Sequence, residues 1–437
     1  MSSCEHGVVG ILAGGGSLPR EVAERVTARG GKVHIVAIEG EADAGLSSFP
    51  ITWVGWGRIG AMLGALRSAG CARLVIVGSV RRPDLSAVRP DLGLFRCLPA
   101  ILRIIAAGGD DSVLSRVVRF FEAQGFEVVS PATVAPDLLI GEGPLGHVEA
   151  SPAEAADAAL GFEVVRALGP YDVGQAVVVT GGRLEAIEGV AGTDAMLARV
   201  AAQRRQRGGQ GDKPRGVLVK RPKPGQELRI DLPAIGPGTI GGAIDAGLAG
   251  VAVLARGALA AERTELVRRA DASHLFAQGF RDRDAVDSGR ACGPEHWQFA
   301  ALGRRRATKR QCADAAKGAG LLAVLEPLGR SRCAIVDNGH VLAVESSEGV
   351  GALIANAGAL RQWGRRRWSR RSGVAVLNSA SDLQPELVRT AAQAGLAGLG
   401  LVGQPAGAAA QAAIAEADRL GLAVVSLAAL GGQHGRQ

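Results

Sequence analysis

Residues 216–248 read GVLVKRPKPGQELRIDLPAIGPGTIGGAIDAGL, an apolar run, a polar loop and a second apolar segment in that order. The run 217–219 predicts a buried strand. The Ala-, Gly- and Ile-rich segment 239–248 predicts a helix, with Pro237 near its first turn. Because a strand followed by a helix is the building unit of α/β folds, this stretch predicts a layered α/β protein.

The loop between these two elements, residues 220–238, combines charged side chains with prolines. Proline restricts the backbone, so we expect the polar side chains to be held in place. A cationic loop that leads into a helix N-terminus suits phosphate oxygens, and an aspartate in it can hold a divalent cation. The candidates for this phosphoryl chemistry are Lys220, Lys223, Arg229 and Asp231, with Gln226 and Glu227 as secondary candidates for sugar or metal contacts.

These candidates also have structural interpretations. Asp231 is the predicted essential carboxylate, which would bind magnesium or orient the attacking water. Its alternative role is a helix cap, although six residues separate it from Pro237. Lys220, Lys223 and Arg229 are predicted to neutralise a diphosphate, and the alternative is a set of solvated surface cations.

The amino-acid composition indicates the fold class and the cellular compartment. The chain has 437 residues, 47% hydrophobic but only 3% aromatic, with 63 glycines, so we expect two or three domains with aliphatic α/β cores. Six scattered cysteines without a C-x-x-C predict neither a zinc site nor a disulfide framework. No run of 18 uncharged apolar residues and no leader pattern is found, so we expect a reducing cytoplasmic compartment and no membrane span.

The first 150 residues predict a Rossmann-like domain. Apolar runs alternate with helical patterns there, which indicates a mostly parallel sheet. The run 8–13 ends in a glycine-rich turn that does not have G-x-G-x-x-G spacing. This turn predicts either a tight strand-to-helix connection or a backbone cradle for a nucleotide or diphosphate, made by Gly14, Gly15, Gly16, Ser17 and Leu18.

Three aspartates precede predicted helices and leave two roles open. Asp110 and Asp111 follow a Gly-Gly pair, and Asp194 follows Gly192 and Thr193. Each aspartate is predicted either to cap its helix or to contact the ligand. In the second case Asp194 would be a further magnesium-facing carboxylate, while Asp110, Asp111 and Thr193 would contact the substrate.

A second α/β domain is predicted over residues 151–279, and the chain then repeats it. With a shift of 157, residues 177–189 (VVVTGGRLEAIEG) align with 334–346 (AIVDNGHVLAVES), which indicates a duplication. Lys220 aligns with Leu377, and the loop is nine residues shorter in the copy. We therefore predict a linker over 280–307 and a degenerate, non-catalytic copy of the second domain over 308–437.

Four stretches resemble one known family, the LpxI-type UDP-2,3-diacylglucosamine diphosphatases of bacterial lipid A synthesis. Residues 280 onward lie outside that family's single-copy pattern, and Glu227 stands where the family more often has Asp. The matching stretches are GILAGGGSLPREVA (10–23), GDDSVLSRVVRFFEAQGFEVV (109–129), GQAVVVTGGRLEAIEGVAGTDAML (174–197) and GVLVKRPKPGQELRIDLPAIGP (216–237).

The resemblance implies a function. It implies a magnesium-dependent hydrolase that cleaves the diphosphate of UDP-2,3-diacylglucosamine into UMP and 2,3-diacylglucosamine 1-phosphate. It also implies a substrate held between two domains. By motif match, Asp231 would be the essential carboxylate. A monomer and a homodimer both stay open.

The basic C-terminal part adds a membrane expectation and one rival function. Residues 280–437 hold 20 Lys/Arg against 13 Asp/Glu, whereas residues 1–279 hold 30 against 29. Such a surplus favours an anionic lipid surface, nucleic acid or merely a solvated basic face. Peripheral docking on the cytoplasmic face of the inner membrane would use Arg361, Trp363, Arg365, Arg366, Arg367, Trp368, Arg370 and Arg371.

Two rival functions are weighed against the hydrolase. A nucleotide-dependent oxidoreductase would use the glycine-rich turn, with Glu39 on the ribose. A nucleic-acid-binding protein would use the arginine-rich tail, but few aromatic side chains are available there to stack on bases. We therefore expect no nucleic-acid partner.

Overall fold

The computed structural model describes residues 7–80, 89–94, 97–99, 110–208, 214–282, 294–329, 331–346, 348–360 and 371–430. Residues 8–138 carry a five-stranded parallel sheet in the order β3-β2-β1-β4-β5. Its strands are β1 Val8–Ala13, β2 Val33–Ile38, β3 Ile51–Val54, β4 Cys71–Val77 and β5 Glu127–Val128. The helices beside them are α1 Leu18–Ala28, α2 Ile59–Ser68, α3 Asp110–Ala123 and α4 Pro131–Val134.

This sheet confirms the Rossmann-like prediction for the first part of the chain. Aliphatic side chains fill both of its faces, with Val9, Ile11 and Ile35 on the α1 side and Leu74 on the other. The strand order reverses between β1 and β4, and open α/β sheets bind ligands beyond the carboxyl ends of the strands at such a point. The glycine-rich turn directly follows β1, so the fold places it at this crevice.

The second unit has a six-stranded mixed sheet in the order β6-β13-β11-β9-β7-β8. Its strands are β6 Gly143–Pro144, β7 Ala176–Thr180, β8 Arg183–Ile187, β9 Val217–Lys220, β11 Gly250–Leu254 and β13 Phe276–Phe280. A short pair, β10 Ala234–Ile235 and β12 Leu259–Ala260, lies beside this sheet. Its helices are α5 Pro152–Leu168, α6 Gly192–Gln206, α7 Pro237–Asp245 and α8 Arg263–Ala272.

The third unit repeats this topology strand for strand, in the order β14-β19-β18-β17-β15-β16. Its strands are β14 Trp297–Ala301, β15 Cys333–Asp337, β16 His340–Val344, β17 Val374–Leu377, β18 Gly398–Val402 and β19 Ala423–Ala429. Its helices are α9 Lys309–Gly329, α10 Val350–Leu360, α11 Pro385–Gln393 and α12 Ala408–Leu420. Matching strand orders support the duplication inferred from the sequence.

The edge strands β6 and β14 each belong to a different unit from the one predicted for their residues. β14 falls inside the predicted linker 280–307, yet it pairs antiparallel with β19 along its whole length. β6 falls inside the predicted first domain, yet it pairs antiparallel with β13. The physical reason is the same in both units, because the last parallel strand has a bare edge that an earlier segment covers. The linker prediction is therefore wrong for residues 297–301, and the second unit begins before residue 151.

The second and third units share one hydrophobic core. Helices α5 and α9 occupy equivalent positions in the two units and pack against each other. Each helix packs closely on the sheet of its own unit at a glycine. Gly161 of α5 contacts Val219, and Gly318 of α9 contacts Val376. Buried side chains of both sheets and both helices form a continuous cluster, so the two sheets enclose a common helical layer.

No helix of the described part of the chain combines the length and the apolar composition that crossing a bilayer requires.

Candidate functional site

The loop 221–236 has a defined conformation that follows from its sequence. Lys223 to Gln226 form a turn closed by the Gln226 N–H, which donates to the Lys223 carbonyl at 3.2 Å. Gly225 has φ +80°, and Pro224 precedes it, which is the residue pattern of a type II turn. Pro224 also packs close to Gly169 at the end of α5. The expectation that proline holds the loop in place is therefore consistent with its contacts.

Gln226 organises the polar side of this loop. Its side-chain oxygen accepts the Lys223 N–H at 2.7 Å. Its Nε2 donates to the Asp231 carboxylate at 2.5 Å, to the Asp231 carbonyl at 2.7 Å and to the Gln175 side chain at 3.3 Å. Gln226 is only 7% exposed, so this amide fixes the position and orientation of Asp231.

Asp231 lies where the second unit meets the first. Its two neighbours, Ile230 and Leu232, pack against the hydrophobic clusters on the two faces of the first sheet. Arg229 joins the units electrostatically, because it donates to Glu122 of α3 at 2.6 Å. The predicted carboxylate is thus held at the boundary between the first two units.

The guanidinium of Arg229 donates its hydrogen bonds to carboxylates in this structure. Besides Glu122, it bonds both oxygens of Glu227 at 2.7 Å. These bonds raise the pKa of Arg229, and the same guanidinium lowers the pKa of Glu227 below its usual range. The arginine therefore connects the loop to α3, and its predicted contact with a diphosphate stays a prediction.

Lys220 is buried at the end of β9 and not solvated, so its surface-cation alternative is wrong. Its Nζ donates to the Thr193 hydroxyl and to the Ala234 carbonyl, both at 3.1 Å. Thr193 in turn donates to Glu188 at 2.8 Å, and Glu188 accepts the Gln175 N–H at 2.7 Å. Because an ammonium has three N–H groups, Lys220 keeps one donor beyond these two bonds.

The strand directions place two helix N-termini beside this lysine. β8 and β9 both run antiparallel to β7, so they end at the same edge of the sheet. α6 follows β8, and α7 follows the loop after β9, so both helices begin at that edge. Helix N-termini carry partial positive charge, which together with Lys220 makes this edge suitable for an anion.

Two further cations of the loop have largely buried side chains and pair with partly exposed carboxylates. Lys223 donates to Asp172 at 2.5 Å, and the lysine side chain is 9% exposed. Arg221 pairs with Asp282 at 3.2 Å. Lys223 was predicted to contact the substrate. That contact stays a prediction, whereas the observed pairing with Asp172, which the sequence did not signal, anchors the loop to the segment after α5.

The glycine-rich turn lines a crevice between the first two units. Gly14 and Gly15 donate their N–H groups to Val77 and Ser79, so these two amides hold the neighbouring loop. A Cβ atom on Gly14 would lie 2.4 Å from the Ser79 carbonyl, which explains the glycine. Gly16 and Ser17 line a cavity of about 630 Å³ together with residues 262–265 at the start of α8. The predicted Leu18 is the first residue of α1.

The remaining predicted ligands are less constrained. Asp194 lies exposed in the first turn of α6, and no hydrogen bond or ion pair joins it to another of the described residues. Asp110 and Asp111 begin α3, but their side chains lie outside the described residues. Among the residues that the structure describes, no three His, Cys, Asp or Glu side chains form a cluster that would hold a metal ion by themselves.

The third unit keeps the scaffold of this site and one of its carboxylates but lacks its lysine, its threonine and its long polar loop. Glu188 has its counterpart in Glu345, which accepts the Arg332 N–H at 2.8 Å as Glu188 accepts that of Gln175. Val350 and Leu377, however, stand at the positions of Thr193 and Lys220. The loop after β17 spans residues 378–384, against 221–236 after β9.

The fold and this site define an α/β protein with a Rossmann-like domain beside a mixed-sheet domain whose polar loop meets it. Models of the LpxI N-terminal domain and the LpxI C-terminal domain match the chain, the first over residues 8–138 and the second twice, over 141–277 and 298–425. The chain belongs to the LpxI family. It is similar to the UDP-2,3-diacylglucosamine pyrophosphatase LpxI of Caulobacter vibrioides, at 40% identity over 271 residues, which are 62% of this chain and 96% of that protein.

Proposed function

We propose that this protein hydrolyses the diphosphate of UDP-2,3-diacylglucosamine, releasing UMP and 2,3-diacylglucosamine 1-phosphate, in the synthesis of lipid A. One water is consumed, and one phosphorus–oxygen bond of the diphosphate is broken. Family membership favours this hydrolase over the oxidoreductase and nucleic-acid alternatives. The models of the LpxI N-terminal and C-terminal domains match the two units that meet at Asp231.

The observation that carries the proposal is the fixed position of Asp231. A buried glutamine bonds its carboxylate at 2.5 Å, and apolar neighbours anchor it at the boundary of two units. The third unit keeps the same sheet but has the shorter loop. Since the fold does not need this loop, its polar residues are explained best by chemistry.

The chain's own residues have separate roles in this proposal. Asp231 orients the attacking water or a bound cation, because its carboxylate is held by Gln226 before any substrate arrives. Lys220 and the two helix N-termini at the end of β9 stabilise negative charge on the diphosphate oxygens. The crevice at Gly16 and Ser17 would take another part of the nucleotide sugar.

Magnesium dependence belongs to the same proposal. Mg²⁺ usually takes one or two protein carboxylates and completes its shell with substrate phosphates and waters. Asp231 fits such a site as the protein ligand, and Asp194 is the second candidate. When bound, the ion would neutralise charge on the diphosphate. A cluster of three carboxylates is not required for this arrangement.

The decisive experiment measures UMP release from the UDP-diacyl sugar by the purified full-length protein with magnesium. We expect turnover that EDTA abolishes and that Asp231→Asn lowers by at least 100-fold. Asp245→Asn, an exposed aspartate at the C-terminal end of α7, is the matched control and should leave turnover unchanged. Absence of UMP release by wild type, or full activity of Asp231→Asn, would refute the proposal.

Membrane contact and cytoplasmic location are further parts of the proposal. The substrate carries two acyl chains, and each buried methylene favours the lipid phase by about 0.8 kcal/mol. Of the proposed docking cluster, residues 361–370 lie outside the described residues, and Arg371 donates to the Leu420 carbonyl at 2.6 Å. Flotation with vesicles of phosphatidylglycerol and phosphatidylethanolamine tests docking, and replacing the cluster's arginines with glutamine should abolish it. The homodimer stays an untested alternative to a monomer.

A further inference from the structure

The third unit touches the candidate site along two separate routes. The first runs through the segment before α6. Val190 packs against the hydrophobic core of the third unit, and a Cβ atom on Gly189 would lie 2.8 Å from the Leu342 carbonyl. This segment connects Glu188 to Thr193, whose hydroxyl donates to Glu188 and accepts the Lys220 ammonium. The third unit therefore supports one side of the site directly.

The second route runs through Lys317 of α9. Its ammonium donates to the Gly339 carbonyl at 2.7 Å and lies within electrostatic range of Asp172 and Lys223 in the second unit. Asp172 accepts the Lys223 ammonium at 2.5 Å. Lys223 is joined to Gln226 through its backbone, and Gln226 bonds Asp231. Hydrogen bonds thus lead to the predicted carboxylate from Asp172, which lies within electrostatic range of Lys317 in the third unit.

Lys317 is unlike its counterpart in the second unit. The shift of 157 places it at the position of Leu160. Burial lowers the pKa of Lys317, whereas the carboxylates of Asp172 and Asp314 act in the opposite direction. Lys317 is half-buried, and withdrawing a cation from water is costly unless carboxylates compensate it. One of these carboxylates, Asp172, belongs to the other unit. If the third unit were merely a degenerate copy without a function, a lysine at its boundary with the second unit would have no explanation.

We infer that the third unit is a positioning element of the active enzyme, with Lys317 acting through Asp172 and Lys223 on the loop that carries Asp231. Lys317 contacts no reacting atom in this arrangement, so it is a positioning residue. The inference rests on the proposed function for its effect on turnover. Its effect on the loop itself does not depend on that function.

The test compares Lys317→Met with Arg310→Met in the full-length protein. Arg310 is a matched control, because it lies on the same helix and donates to the Asn338 carbonyl, next to the Gly339 carbonyl that Lys317 bonds. Amide hydrogen exchange is followed in residues 221–236. We expect faster exchange there in Lys317→Met and no change in Arg310→Met. Equal exchange in both variants would overturn the inference whatever the activity.

Turnover gives the second readout. We expect Lys317→Met to lower kcat about 10- to 100-fold with little change in KM, because small misplacements of catalytic groups cost that much. Lys317→Arg should restore part of the loss. In an Asp172→Asn background the same Lys317→Met change should have a much smaller effect, whereas an undiminished effect would contradict the route through Asp172. No UMP release by wild type would refute the proposed function alone, since the exchange result would still stand.

Discussion

Asp157 and Asp314 occupy equivalent positions on α5 and α9, and each accepts two backbone N–H groups from a hairpin turn. Asp157 binds the amides of Gly181 and Gly182 at 2.8 and 2.6 Å. Asp314 binds those of Asn338 and Gly339 at 3.1 and 2.7 Å. The duplication has thus kept the contact that ties each hairpin to its central helix, while the polar loop was kept in one unit only.

The contacts of Asp157 and Asp314 with their hairpin turns predict that removing either carboxylate lowers the stability of the protein. Asp157→Ala leaves two turn amides without their acceptor, and each such loss costs about 1–3 kcal/mol where water cannot replace it. We expect a lower urea midpoint, and Asp314→Ala should behave alike. Glu163→Ala, an exposed change on α5, is the control. Unfolding curves for either aspartate variant that overlay that of the control would contradict the structural role.

The bond between Glu227 and Arg229 predicts a pH dependence. Arg229 lowers the pKa of Glu227 in the folded protein below its unfolded value of about 4.3. The unfolded chain then binds more protons in acid, so the stabilisation is present above about pH 4.3 and is lost as the pH falls through the folded pKa.

The measurement is urea unfolding of wild type and Glu227→Gln between pH 7 and pH 3. We expect the difference in free energy of unfolding to be largest at pH 7 and to shrink towards pH 3. Glu24→Gln, at an exposed site, provides the reference for general charge effects. A difference that stays constant across this range would show that Glu227 does not titrate with a lowered pKa.

Burial of Lys220 predicts a combined effect on stability and turnover. Lys220→Met removes the donor to Thr193 and Ala234 and the charge beside two helix N-termini. We expect a fall in kcat/KM of about 10²–10³-fold, comparable with losing one preorganised donor to a developing negative charge. Lys32→Met, at an exposed lysine, is the control. Unchanged kinetics in a folded Lys220→Met protein would restrict Lys220 to a structural role.

Local elements could be predicted closely because their signals are local. The strand predicted over 217–219 lies within β9, and the helix predicted over 239–248 overlaps α7. The positive-φ glycines in the turn between β7 and β8 and the Ser151 capping box at the start of α5 are signals of the same local kind.

Long-range relationships could not be predicted in the same way. The pairing of β14 with β19 joins segments that are far apart in the chain, and the hydrophobic pattern of neither segment indicates its partner strand. The role of Gln226 in holding Asp231 depends on a turn conformation, and the burial of Lys220 runs against the usual exposure of lysine. The cationic loop was recognisable from composition, but the partners of its cations, Asp172, Glu122 and Asp282, were not.

The shared core of the second and third units predicts the behaviour of a truncated chain. A protein ending at residue 282 keeps α5 but loses α9, which packs against it, and loses the third-unit core that covers Val190. An apolar face of this kind is unstable in water and favours association. We therefore expect light scattering to show dimers or larger species for residues 1–282. The full-length chain, in which the third unit covers this face of α5, is the reference. A monomeric fragment that unfolds at the same temperature as the full-length protein would show that the second unit does not need the third to complete its core.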